Sequence, residues 1–187
     1  LPHNISIFDN NKIALCDREN FRVQIFDFDG NYIDQWHFHR PIAIYSDQYS
    51  KEIFIAEAGA PDVQDGVPNL GLRVVIVNEN GEMISSFGKG TLGEQPDQLI
   101  GPHGISVDSE GSVYIAEVSF TSYGSRQDPP REVVSLRKRY PGRIHRVISS
   151  TAISKSNMGV VQQTGEKVQA LGVHPSFGFV RTPNDVG

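Results

Sequence analysis

Two histidines pose the chemical question. His3 follows Pro2 and His103 follows Pro102, and each Pro-His pair opens the same series: an alternating apolar run, a polar turn, a second alternating run and an acid at its end. Those acids are Asp17 and Glu117; a third, Glu57, closes a similar run that has no Pro-His pair ahead of it. Zinc favours imidazole nitrogen, and a catalytic zinc takes three protein ligands and leaves one position open. Two imidazoles at one repeat position would supply part of such a centre if the repeats turn about a common axis. A lone histidine at a strand junction more often serves structure, so His37, His145 and His174 are read as structural or solvent-exposed. His39, just ahead of Pro41, is a weaker substitute ligand. Asp17, Glu57 and Glu117 fall at one rim by repeat position, where a carboxylate can hold a cation or orient a ligand imidazole. For Asp17 and Glu57 the favoured role is to accept hydrogen bonds from backbone N–H groups of the neighbouring loop.

The elements that must position these groups are short strands. In the first unit Ile5 and Ile7, Ile13 and Leu15, Val23 and Ile25, then Tyr32 and Ile33 mark four apolar runs, separated by Asp9-Asn10-Asn11, by Asp17 to Asn20 and by Asp27 to Asn31. Period-two alternation broken by Asn, Asp and Gly predicts an antiparallel meander, with Asp29-Gly30 as a hairpin turn. The second unit repeats the order through Ile42-Ala43-Ile44, Glu52 to Glu57, Leu72 to Val77 and Glu82 to Phe87, with Asn80-Gly81 as the matching turn. The third opens at Gly101, is clear through Glu117, and resumes at Glu132 to Leu136 after an insertion, Val118 to Pro130. Another insertion, Ala58 to Gly71, follows the second strand of the second unit, which places both on one rim. No segment of the first unit asks to be a helix. Asn4 and Gly104 read as small residues that let the backbone pass close to the axis.

Four-stranded repeats of roughly 40 to 50 residues predict an all-β fold, a β-propeller of antiparallel blades. The units are residues 1–38, 39–88 and 101–140; residues 141–187 carry no clear repeat and read as a hairpin near Thr164-Gly165 followed by an exposed tail. Three blades do not close a ring, and the pattern is already under way at Leu1, so further blades are expected ahead of it.

Composition bounds the partners. With 38% hydrophobic and 21% charged residues the chain is globular rather than disordered. Seventeen Lys and Arg against 22 Asp and Glu leave a net charge of −5, which builds no basic field for nucleic acid. No run is long and apolar enough for a membrane-spanning helix, and the chain is read as soluble. Cys16, the single cysteine, has no internal partner and reads as a buried thiol.

The Pro-His pair with its two strands, Asp17-Arg18-Glu19-Asn20, Arg22-Val23-Gln24-Ile25-Phe26 and Asp29-Gly30 together resemble the NHL-repeat propellers. More narrowly, they resemble the peptidyl-α-hydroxyglycine α-amidating lyases and their bacterial relatives, over Leu1 to about Tyr140. The resemblance implies a six-bladed ring with zinc near its axis, held by three histidines from three blades. It also implies cleavage of the N–C bond of a small or peptidyl α-hydroxyglycine substrate to an amide and glyoxylate. On that basis His3 and His103 are two of the zinc ligands and Arg18 is the active-site arginine, suited to the substrate carboxylate. The third histidine and the family's tyrosine would precede Leu1. The animal lyases carry a calcium-holding aspartate where Gly104 stands, so a calcium site of that type is not expected. Family habit points to an extracellular or periplasmic setting; the oligomeric state is left open. Two rivals stand beside the lyase: a noncatalytic NHL propeller binding a protein or ligand through its rim, and a calcium-dependent lactone hydrolase-like propeller.

Overall fold

The computed structural model describes residues 1–9, 11–59, 71–140 and 148–149. They form three four-stranded antiparallel sheets. The first holds β1 (Pro2–Phe8), β2 (Lys12–Asp17), β3 (Arg22–Asp27) and β4 (Tyr32–His37) in chain order. The second holds β5 (Pro41–Ser46), β6 (Ile53–Glu57), β7 (Arg73–Val77) and β8 (Met83–Phe87), again in order. The third runs from β9 (Pro102–Val107) through β10 (Val113–Glu117) and β11 (Leu136–Arg139) to β12 (Ile148–Ser149), which lies beyond residue 140. The first strands β1, β5 and β9 lie side by side, so the three sheets fan out from a common inner edge.

Alternation decides which face each sheet gives its neighbour. Phe8, Ala14, Cys16, Val23, Ile25 and Trp36 of the first sheet pack against Ile44, Ile53, Ile55, Val75 and Val77 of the second. The other face of the second sheet, with Ala43, Phe54, Ala56 and Val74, packs against Ile105, Val113 and Ile115 of the third. Each fully buried Ile or Val contributes about 1.5–3 kcal/mol, so these two layers dominate the stability. Because the middle sheet is covered on both faces, β6 is buried along its whole length and reads as a continuous apolar run. β2 alternates visibly, with Ala14 and Cys16 buried and Ile13 and Leu15 only partly so.

Gly30 and Gly81 adopt φ of +84° and +78°, as the two expected hairpin turns require. At Gly81 a second constraint applies, because a Cβ there would lie 2.5 Å from the Trp36 ring. The turn of the second sheet thus forms part of the seat for an indole from the first.

The third sheet departs from expectation in two places. Its third strand is Leu136–Arg139 rather than Glu132 to Leu136, and the insertion ahead of it contains a one-turn helix, α1 (Ser119–Ser122), followed by a 3-10 turn at Gly124–Arg126. Neither has an alternating or helical apolar period to announce it, and α1 has no side-chain cap. Residues 60–70 of the other expected insertion, and the hairpin and tail expected near Thr164-Gly165 and beyond, lie outside the described residues. Among the described residues no helix is long and apolar enough to cross a membrane.

Candidate active site

The inner strands begin in the same way. Pro2 pairs with Asp17, Pro41 with Glu57 and Pro102 with Glu117, and in each ladder the register shifts next to that pair. The residue after each proline is therefore set at an equivalent point: His3, Ile42 and His103. The His3 and His103 rings meet edge to face, with centroids 4.6 Å apart and planes at 73°. His3 Nδ1 lies 2.8 Å from the carbonyl oxygen of Ile42. A carbonyl only accepts, so Nδ1 carries the proton and donates, leaving the neutral ring with its lone pair on Nε2. Burial holds the His3 pKa below its ordinary 6.5; the bond to Ile42 opposes the shift, and His103 and Arg18 add to it. His103 itself is exposed.

The three acids at the ends of the second strands are structural clasps. Glu57 accepts from the backbone N–H of His39 at 2.8 Å and from Arg73 Nε at 2.5 Å, and is wholly buried. Glu117 accepts from the N–H groups of Ile100 and Gly101 at 2.6 and 3.2 Å, and its other oxygen pairs with Arg137. Asp17 accepts from Arg22 Nε at 2.9 Å and also from Asn20 and Gln24. Burial pushes the Asp17 pKa up, but the bonds from Asn20 and Arg22 outweigh it and the net shift is downward. In each sheet an arginine on the third strand thus neutralises an acid on the second. Glu57 and Glu117 also tie down the loop entering the first strand, the role expected for Glu57; Asp17, expected to do the same, is met instead by the side chains of Asn20, Arg22 and Gln24.

Arg18 sits at the start of a 3-10 turn, Arg18–Asn20, directly after Asp17. Its Nε donates to Glu19 Oε1 at 2.7 Å, and the same oxygen accepts from Arg40 Nη2 at 2.8 Å. The bond from Arg40, set first against some burial and then reinforced by Arg18, draws the Glu19 carboxyl below its usual range. Arg40 also donates from Nη1 to the Gly59 carbonyl at 3.1 Å. Its backbone holds a left-handed φ of +53°, a conformation that costs a residue with a Cβ roughly 1–2 kcal/mol.

His39 is not a third member of the imidazole pair. It lies on the loop ahead of Pro41, its Nδ1 is 3.9 Å from Glu57 Oε2, and the equivalent register point belongs to Ile42. Among the described residues, no three His, Cys, Asp or Glu side chains form a metal-sized cluster. Asn4 does more than save space: its Oδ1 accepts from the Ile44 N–H at 3.1 Å and ties the first sheet to the second. A Cβ at Gly104 would meet only Ala116, at an ordinary 3.5 Å, so packing among the described residues does not demand glycine there. Arg40 escaped the sequence reading because a charged residue before a proline carries no pattern of its own. The partner arginines did carry a signal, since Arg22 and Arg73 directly face the acids Asp17 and Glu57 across the ladder.

Residues 1–26 match the family model of the NHL repeat. Among curated protein sequences none matches the chain. In fold it is similar to a streptogramin B lyase, with a TM-score of 0.52 and 13% identity over 82% of this chain and 41% of that one. It is similar also to the virginiamycin B lyase of Staphylococcus aureus, with a TM-score of 0.50 and 13% identity over 82% of this chain and 42% of the other. A protein of unknown function from Bacteroides caccae gives a TM-score of 0.53 and 12% identity over 73% of this chain and 44% of its own. The chain spans less than half the length of these structures. At such identities the likeness is one of fold: the three sheets are four-stranded antiparallel blades of an all-β propeller.

Proposed function

We propose that the rim carrying His3, His103 and Arg18 is part of a zinc-dependent lyase centre that cleaves a peptidyl-α-hydroxyglycine-type substrate to an amide and glyoxylate. The observation that carries this reading is the His3–His103 pair, drawn from two sheets to a ring separation of 4.6 Å. The donor set suits zinc as far as it goes. The His3 Nδ1–H is spent on a backbone carbonyl, which is how a ligand imidazole is commonly oriented, and Nε2 keeps its lone pair. These two side chains would hold the metal together with a further ligand from outside the described residues. When bound, zinc would supply Lewis acidity that lowers the pKa of a coordinated hydroxyl or water.

In that reaction the substrate hydroxyl gives up its proton and the carbon bearing it becomes the aldehyde of glyoxylate. The carbon–nitrogen bond breaks with its electron pair going to nitrogen, which takes up a proton to become the amide. Arg18 binds the glycine carboxylate, since a guanidinium matches a carboxylate with two parallel N–H bonds. Burial favours the neutral form of the His3 ring, the form that can donate a lone pair to a metal.

The test is elemental analysis of the purified full chain after zinc loading, followed by an assay for glyoxylate from an N-acyl-α-hydroxyglycine. About one zinc per chain and zinc-dependent glyoxylate release support the reading. A protein that takes up no zinc and releases no glyoxylate returns the rim to a binding role without chemistry.

A further inference from the structure

Glu19 is shared in an unusual way. One of its oxygens, Oε1, accepts from Arg18 and from Arg40 together, so two guanidinium charges meet one carboxylate and the cluster keeps a net positive charge. The donors of the cluster are not used up. Among the described residues the two terminal nitrogens of Arg18 have no acceptor, and the buried Nε of Arg40 has none either. Buried donors without acceptors are rare in a folded chain, and a carboxylate would supply two acceptor oxygens at once.

We propose that Arg40 acts with Arg18 as a two-arginine clamp for the carboxylate of the ligand, and that Glu19 is the positioning residue that holds both guanidiniums in place. The backbone of Arg40 is fixed on both sides: its N–H donates to Phe38 and its carbonyl accepts from the Ala58 N–H, each at 3.1 Å. Its Nη1 is tied to Gly59. A left-handed arginine secured in this way is already ordered before a ligand arrives, so binding costs little further side-chain entropy. The clamp shares a rim with the imidazoles, since Arg18 and Glu19 both act electrostatically on the His3 ring. The ligand class that follows is a carboxylate with its reacting carbon directly beside the carboxyl group, and a neutral amide or ester of the same shape is rejected. This specificity rests on the reading of the rim as a ligand site and deepens it.

The test titrates the full chain calorimetrically with N-benzoylglycine and, separately, with its neutral carboxamide. The unaltered protein binds the carboxylate in preference to the amide. Arg40→Ala weakens carboxylate binding about tenfold or more, the scale of one lost hydrogen bond to a charged group, and leaves the amide unchanged. Arg40→Lys keeps the charge but loses the fork, so it recovers only part of the affinity and also serves if the alanine variant does not fold. Glu19→Gln lowers carboxylate affinity less than Arg40→Ala, because both arginines remain. No preference for the carboxylate in the unaltered protein, or the same preference in Arg40→Lys, overturns the clamp. Glyoxylate release measured in parallel keeps the two readings apart. Carboxylate binding that depends on Arg40, without release, retains the clamp and removes the lyase; release with a KM indifferent to Arg40→Lys does the reverse.

Discussion

The His3 ring stands edge-on to that of His103, although one belongs to the first sheet and the other to the third. What separates them in the ladder order is Ile42 of the middle sheet, which contributes only its carbonyl oxygen to His3. Equivalent positions on the inner strands β1 and β9, with β5 between them, thus bring residues far apart in sequence together. Under the proposed chemistry, replacing either histidine by alanine removes an imidazole donor and should abolish stoichiometric zinc binding. His39→Ala should leave zinc binding intact, since that ring lies beside Glu57. Metal content by elemental analysis of the three variants checks this, and zinc retained in His3→Ala and His103→Ala would rule out their role as ligands.

The titration of His3 gives a second check, independent of metal. Burial lowers its pKa from 6.5, and the nearby His103 and Arg18 add to the effect. In an NMR titration of the metal-free protein its midpoint should fall below 6.5, and in His103→Ala it should rise only partway back, because burial remains. The sign for stability follows from linkage. The unfolded chain takes up the proton first, so this group makes stability fall as pH drops from 6.5 toward the native value, with no further loss below it. A midpoint at or above 6.5 would contradict the buried, neutral ring.

Glu117 and Arg137 form the most enclosed ion pair described, with side chains 0% and 3% exposed. Glu117→Gln keeps an acceptor for the Ile100 N–H but leaves a buried guanidinium without its counter-charge. Loss of one partner of such a pair costs about 3–5 kcal/mol. Arg131→Ala removes the half-exposed pair with Glu94 and should cost about 1 kcal/mol or less. Denaturant unfolding of both variants tests the contrast, and equal small losses would show that the Glu117 clasp contributes no more than a surface pair.

How far the sequence carried depends on which surface buries each residue. The first two sheets were legible because Ile13 and Leu15 alternate with Ala14 and Cys16, and because Asp29-Gly30 and Asn80-Gly81 mark turns that need positive φ. Leu136–Arg139 was misplaced because Leu-Arg-Lys-Arg reads as solvent-exposed, whereas Arg137 is buried by its pairing with Glu117. For the same reason the repeated acids were visible as a position, while their role became clear only once the arginines of the neighbouring strands were in view. The histidine pair was legible from the repeated Pro-His order; the Arg18–Glu19–Arg40 cluster was not, because Arg40 is brought to Glu19 by the packing of the second sheet on the first.

Gly81 tests the seam between the first two sheets. Alanine there meets two penalties: a left-handed φ of +78° and a Cβ driven into the Trp36 indole. The conformation costs roughly 1–2 kcal/mol and the overpacking about 1–3 kcal/mol. Gly30→Ala shares the positive φ but has nothing within 4 Å of the added carbon, so it isolates the conformational part. Gly81→Ala should therefore lower the unfolding free energy more than Gly30→Ala, with a changed Trp36 fluorescence that Gly30→Ala does not show. Equal losses with unchanged fluorescence would mean that the indole yields without cost.

Cys16 reports on the same seam from inside. Its side chain is fully buried in the layer between the first and second sheets, and burial pushes the thiol pKa up from 9.0 to about 12. Reaction requires the thiolate, so a disulfide reagent at pH 8 should label it only as fast as the two sheets part, and rapidly in denaturant. The shift also fixes a sign for stability at high pH. From pH 9.0 the unfolded chain loses the thiol proton while the folded chain keeps it to about 12. In that window this group favours unfolding by about 1.4 kcal/mol per pH unit. Cys16→Ala removes the group, so its stability should decline less steeply between pH 9.0 and 11 than that of the unaltered chain, even if it starts lower because of the smaller side chain. Parallel slopes, or labelling in native buffer at the rate seen in denaturant, would show that the seam between the first two sheets is open to solvent.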